Sequence, residues 1–141
     1  HSIHYVQKLI KDKAIHLNRK VGEKLTYHDP CDLGRSFQIF EEPREILKAI
    51  VGANMVEMEK SRLTARCCGG GGSVMALDPK LAAEMAAVRV MDAAETDAKI
   101  IVSGCATCKD NMKKGVKTIP KAERPKIKLM DITEIVAGSI T

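Results

Sequence analysis

The amino-acid sequence predicts an α/β protein with a parallel four-stranded sheet, helices on both of its faces and cysteine-bearing loops at its carboxyl edge. Three observations lead there. Strand candidates at 24–28, 54–59, 99–103 and 127–130 alternate with segments whose apolar residues recur at helical spacing, the pattern of strand–helix–strand units with right-handed crossovers. The run Ile100-Ile101-Val102 is continuously apolar, as expected of a strand buried on both faces of a parallel sheet. The chain is 45% hydrophobic but has only two Tyr, two Phe and no Trp, so its core is built from aliphatic residues, Met and Ala.

The elements follow in order. Ile3, Val6, Leu9, Ile10 and Ala14 mark a first helix over 3–19, with Lys and Asp on its other face. His1 and His4 fall on one side of it, with too few ligands nearby for a metal. Leu25-Thr26-Tyr27-His28 reads as a strand ended by Asp29-Pro30, because Pro cannot continue a central ladder. Cys31 comes next. A helix is predicted over 42–51, with Pro43 in its first turn and Gly52 closing it. Met55, Val56 and Met58 are the apolar positions of the second strand. Residues 61–74 are polar or glycine-rich, with few apolar anchors, and contain Cys67-Cys68. Asp78 is an N-cap with Pro79 at the first helical position of a helix over 79–95, whose Leu81, Met85, Val88 and Met91 are expected to face the core. The third strand runs into Gly104-Cys105-Ala106-Thr107-Cys108 and a helix to about residue 117. After the fourth strand, Asp131 or Thr133 caps a last helix through Val136.

The cysteines organise this frame. Cys31 follows the first strand, Cys67 and Cys68 the second, Cys105 and Cys108 the third. In a parallel sheet these loops emerge at one edge, where ligand sites form, so five thiols from distant stretches meet. Adjacent cysteines do not readily bond to each other, but two neighbouring thiolates reach one metal centre. The glycines after Cys68 permit positive φ and close backbone approach, and successive N–H groups there form a nest for thiolate or sulfide, with Gly69 and Gly70 as the backbone contacts. Cys105-x-x-Cys108 opens a helix, whose N-terminus favours thiolates. Read more plainly, 66–73 is a flexible surface loop with two structural cysteines, and Cys105/Cys108 alone suits a thioredoxin-like pair. A zinc site takes four ligands and leaves one of the five over, whereas an iron–sulfur cluster employs them all. His28 stands beside this set, either as a hydrogen-bond donor or proton carrier to the centre or as a satisfied strand-end residue.

Composition narrows the partners. The net charge is +5, but there is no aromatic interleaving and no nucleic-acid motif, so no nucleic-acid partner is expected. Gly69 to Gly72 do not form G-x-G-x-x-G, since Val74 takes the last glycine's place, and there is no P-loop. No apolar run is long enough to span a membrane, so no direct membrane insertion is expected. An odd number of cysteines and no need for staples suggest a reducing, cytoplasmic setting. The chain starts inside a helix without an initiator Met, as a fragment of a longer protein would.

Tyr27-His28-Asp29-Pro30-Cys31-Asp32-Leu33-Gly34-Arg35, Pro43-Arg44-Glu45-Ile46-Leu47, Cys67-Cys68-Gly69 and Cys105-Ala106-Thr107-Cys108 together resemble the cysteine-rich CCG domain. This is the family of the heterodisulfide reductases and of the glycolate oxidase iron–sulfur subunit, and the likeness covers about residues 20–115. Residues 1–141 then form one such domain, the C-terminal one of a longer oxidoreductase. The resemblance implies an iron–sulfur cluster, of the noncubane [4Fe–4S] type, ligated by Cys31, Cys67, Cys68, Cys105 and Cys108. It also implies ferredoxin-like or flavoprotein redox partners, electron exchange with a disulfide, quinone or flavoprotein, and membrane association through partner subunits. The isolated domain is not expected to be active alone. Two features depart from the family: one CCG copy where two are common, and Ala106 where many members have Pro. They keep open a noncatalytic assembly module with structural zinc or a vestigial site.

Overall fold

A computed structural model describes residues 1–18 and 20–140; Arg19, the last position of the predicted first helix, and Thr141 lie outside the described residues. Four strands, β1 (Leu25–His28), β2 (Met55–Val56), β3 (Ile100–Ser103) and β4 (Lys128–Asp131), form one parallel sheet in the order β2-β1-β3-β4. In the central pair Leu25 lies opposite Ile100, and His28 opposite Ser103. The chain moves outward in one direction from β1 to β2 and in the other from β3 to β4. The crevice between the carboxyl ends of β1 and β3 is therefore the topological switch point, where open α/β sheets place their ligands.

Helices cover both faces, as predicted. Alternation along each strand sends Leu25, Tyr27, Ile100 and Val102 to one side, where they pack with Ile46, Leu47 and Ile50 of α2 (Glu41–Val51), Ile132 and Ile135 of α6 (Ile132–Ser139) and Ile3 of α1 (Ser2–Lys11). Ile101 packs on the other side with Ala86, Val90 and Ala93 of α4 (Pro79–Ala94) and Cys108 and Met112 of α5 (Ala106–Thr118). A single turn, α3 (Val74–Leu77), precedes α4. The predicted caps are present: the Asp78 carboxylate accepts from the Leu81 N–H at 2.9 Å, and Asp131 and Glu134 form a reciprocal capping box.

Three expectations change. The first helix stops at Lys11 instead of running to residue 19. Lys13 takes a left-handed conformation, and the Lys13 and Ala14 N–H groups bond back to the Ile10 and Leu9 carbonyls. That is a Schellman ending with Lys where Gly is usual, so no glycine announces it in the sequence. The second strand pairs over only Met55 and Val56, because Glu57 turns to a buried arginine and Met58 tucks under the opposite face. The core face of α4 is not Leu81, Met85, Val88 and Met91: Leu81, Val88 and Met91 are 46%, 46% and 37% exposed and Met85 is half-buried. Its buried positions are Ala82, Ala83, Ala86, Arg89, Val90 and Ala93. The cause is the closeness of α5: a Cβ on Gly115 would lie 2.6 Å from the Ala87 nitrogen, so only small residues fit between these helices.

Candidate metal centre

β1 ends at the switch point, and Asp29-Pro30 turns the chain into a wide π-type turn, Asp32–Ser36, that starts at Cys31. A buried guanidinium fixes this turn. Arg44 of α2 makes a two-pronged ion pair with Asp29, at 2.7 and 2.9 Å, and a second with Glu57, at 2.6 and 2.9 Å. It also donates to the Phe40 carbonyl and lies over the Tyr27 ring, 5.3 Å from its centroid. Asp29 in turn accepts the Arg62 backbone N–H at 2.8 Å, which ties the first cysteine turn to the second cysteine loop.

That second loop is anchored by polar groups. The buried Asn111 side chain of α5 donates to the Cys68 carbonyl at 2.6 Å and to the Ala82 carbonyl at 2.9 Å. Arg89 donates to the Lys60 carbonyl, and Arg35 to the Ala65 carbonyl. Gly69 has φ +75°, and a Cβ there would meet the Ala82 carbonyl at 2.7 Å; Gly70 is closed in by Thr107 and Asn111. The Gly69 N–H points at Cys67 Sγ, 3.3 Å away, and the Gly70 N–H at Cys68 Sγ, 3.4 Å away. Both amides thus serve sulfur, as a nest does. The third loop is short: Cys105 is the residue before α5, and Cys108 lies in its first turn.

Of the five thiols, Cys68 and Cys108 stand at the spacing of ligands to one ion, with Cys31, Cys67 and Cys105 near them. Cys68 and Cys108 are buried with sulfurs 3.1 Å apart, too far for a disulfide and close enough to share a proton. The Cys68 thiol is held well below the ordinary thiol range by the Cys108 thiol, the His28 ring and the Gly70 N–H. The Cys108 thiol is pushed up, because Cys105 and Cys68 both draw on it and it is buried. Cys105 is lowered to about 6, first by the Cys108 thiol, then by the Cys108 and Thr107 amides of the helix start. Cys31 is exposed, yet partial shielding of its sulfur and the nearby Cys67 and Cys68 push its thiol up. All five cysteines are free thiols. His28 is buried at the end of β1 and belongs to the same cluster, with its coordinating atom and the Cys68 and Cys108 sulfurs within 4.8 Å of one another. His1 caps α1 through Nδ1, and His4 lies 3.9 Å from Glu42; neither reaches the centre.

Sequence reasoning missed three supporting residues. Arg44 stands inside a quoted motif, but its buried role there is not legible. Arg89 falls in register with Ala82, Ala86 and Ala93, and an arginine in step with an alanine stripe was the available signal. Asn111 shares the face of Cys108, Met112 and Gly115 in the same way.

A parallel α/β sheet with five thiols gathered at its switch point defines a metal-binding redox-type domain. The chain belongs to the CCG cysteine-rich domain family, which matches residues 25–113. It is 40% identical over 140 residues to a subunit of the dihydromethanophenazine:CoB–CoM heterodisulfide reductase of Methanosarcina barkeri, covering 99% of this chain and 33% of that protein. It is 34% identical to the probable iron-sulfur-binding oxidoreductase FadF of Bacillus subtilis, over 99% of this chain and 20% of that protein. With the EtfAB:quinone oxidoreductase of Syntrophomonas wolfei the identity is 32%, over 94% of this chain and 20% of that protein. The chain thus spans a third or less of the length of these relatives. Among the described residues no helix is long and apolar enough to cross a membrane.

Proposed function

We propose that this chain is the iron–sulfur domain of a redox enzyme, in which Cys31, Cys67, Cys68, Cys105 and Cys108 hold a noncubane [4Fe–4S] cluster. The observation that carries this is the linked chain of five thiols. Cys31 lies near Cys67 and Cys68, Cys68 is in contact with Cys108 at 3.1 Å, and Cys105 lies beside Cys108. The donor set is soft, exceeds the four ligands zinc takes, and has backbone amides already aimed at sulfur. Such a cluster, when bound, supplies one-electron transfer.

The chain's own residues do the rest. Gly69 and Gly70 donate to thiolate sulfur, and the start of α5 favours negative charge on Cys105. The Asp29–Arg44 pair fixes the turn that presents Cys31. Cys31 is the exposed member, so the centre meets an incoming disulfide, quinone or redox partner on its side. Partners of the ferredoxin or flavoprotein kind fit a domain that spans only part of its relatives, one of which is named an EtfAB:quinone oxidoreductase.

Anaerobic reconstitution followed by iron and sulfide analysis and EPR tests this. Iron and sulfide in equal, multi-atom stoichiometry are expected, with losses in Cys→Ser variants at each of the five positions. One zinc per chain and no iron uptake would remove the cluster reading and favour the zinc-bearing assembly module.

A further inference from the structure

His28, Cys68 and Cys108 have the spacing of three ligands to one metal ion. The hydrogen bonding around His28 says otherwise. Its Nδ1 accepts from the Nε–H of Arg89 at 3.0 Å, and both side chains are buried. A guanidinium has only N–H groups to offer and does not give up its proton in proteins, so the Nδ1 lone pair is committed to it. A neutral ring with that lone pair in use carries its proton on Nε2. Nε2 has no hydrogen-bond partner among the described residues, and the Cys68 and Cys108 sulfurs stand within 4.8 Å of the ring's ligating nitrogen. An N–H nitrogen donates to sulfur but has no lone pair for a metal.

Arg89 is itself firmly placed. It projects from the alanine face of α4, with no exposed surface. Its Nη1 donates to the Lys60 carbonyl at 2.8 Å and to Asp92 at 3.2 Å. Its Nε is thereby aimed at His28 by two further contacts, one to the stretch after β2 and one within α4.

We infer that Arg89 is a positioning residue that locks His28 in the Nε2–H tautomer, making it a hydrogen-bond donor to the Cys68–Cys108 sulfurs and withholding it from the metal's ligand set. The inference deepens the metal-centre reading and rests on it for its purpose, but its test needs no iron. A donor of this kind, next to metal-bound sulfur, favours the more negative, reduced state of a centre.

Long-range proton–nitrogen NMR of the thiol-reduced chain reads the ring directly. The Nε2–H form is expected in the wild type, with Nδ1–H appearing in Arg89→Met. A wild-type Nδ1–H ring overturns the inference, as does a folded Arg89→Met protein whose ring stays wholly Nε2–H. Loading with cadmium-113 gives a second readout, independent of whether Arg89→Met folds. The resonance is expected in the all-thiolate region for both wild type and His28→Phe. A mixed nitrogen–sulfur resonance that moves to the all-thiolate region in His28→Phe makes His28 a ligand and overturns the lock. Failure to take up iron and sulfide, with both NMR results as expected, counts against the cluster and leaves the lock standing.

Discussion

Arg44 has no exposed surface and shares two carboxylates, a carbonyl and an aromatic face, so its removal leaves Asp29 buried with a single backbone partner. Breaking a buried pair from one side costs about 3–5 kcal/mol, because the remaining charge has lost both water and its partner. Arg44→Met is expected to lower the urea unfolding free energy by that order, and Arg44→Met with Asp29→Asn to recover part of it. A single-variant loss below about 1 kcal/mol would mean that Asp29 is hydrated in the protein. At this scale the sequence was partly transparent. Cysteine is rare and its spacing carries its own meaning, so the five thiols and His28 were all visible from the order of residues alone. Arg44, Arg89 and Asn111 were not, because arginine and asparagine read as solvent-facing until tertiary packing closes over them.

Among the elements, the contact of α4 with α5 turns on a missing side chain. Alanine is the better helix former by about 1 kcal/mol, so Gly115→Ala would stabilise an isolated helix. Here its Cβ would sit 2.6–2.8 Å from Ala86 and Ala87, mostly against backbone that cannot swing aside. Overpacking costs about 1–3 kcal/mol and wins, so a lower melting temperature is expected; an unchanged or raised one would show that the helices separate easily. The same closeness explains why hydrophobic periodicity chose the wrong face of α4. Leu, Val and Met mark the core only where neighbouring helices stand a full side chain apart. Helix α6 offers a charge-based check. The Lys109 ammonium, at 2.8 Å, and the Asp131 N–H, also at 2.8 Å, hold the Glu134 carboxyl below its ordinary range. A depressed carboxyl contributes stability above its unfolded pKa and loses it as pH falls through the folded one. Glu134 is half exposed, so the screened contribution is about 0.3–1 kcal/mol. The stability gap between wild type and Glu134→Gln should be present at neutral pH and close in acid; a gap that persists below the carboxylate range would assign it to shape alone.

For the whole molecule, the aliphatic cores on both faces of the sheet are built from the chain's own side chains, and parallel pairing and both helical layers were legible from alternation and periodicity, whereas the strand order was not, because periodicity does not say which strands are neighbours. The second cysteine loop was less legible. Its few apolar residues give it little hydrophobic anchoring, but Asp29 after β1, Arg89 of α4 and Asn111 of α5 grip its backbone. Chelation is therefore expected to leave the far-ultraviolet circular dichroism near native. Faster hydrogen exchange should be confined to the exposed glycine tip and α3, about residues 71–77, with 58–70 still protected; global unfolding would show that the metal is part of the core. The order β2-β1-β3-β4 then bears on how the centre is filled. Cys31 and Cys108 stand 77 positions apart in the chain, a loop whose closure is costly for a flexible polymer. The sheet meets that cost in advance and gives the thiols a local concentration that no unfolded segment has. Beyond that glycine tip, metal binding has little folding left to drive, so affinity is expected to follow mainly from ligand chemistry. A centre emptied by oxidation is then restored by reducing the thiols and resupplying the metal, without the chain having to fold again.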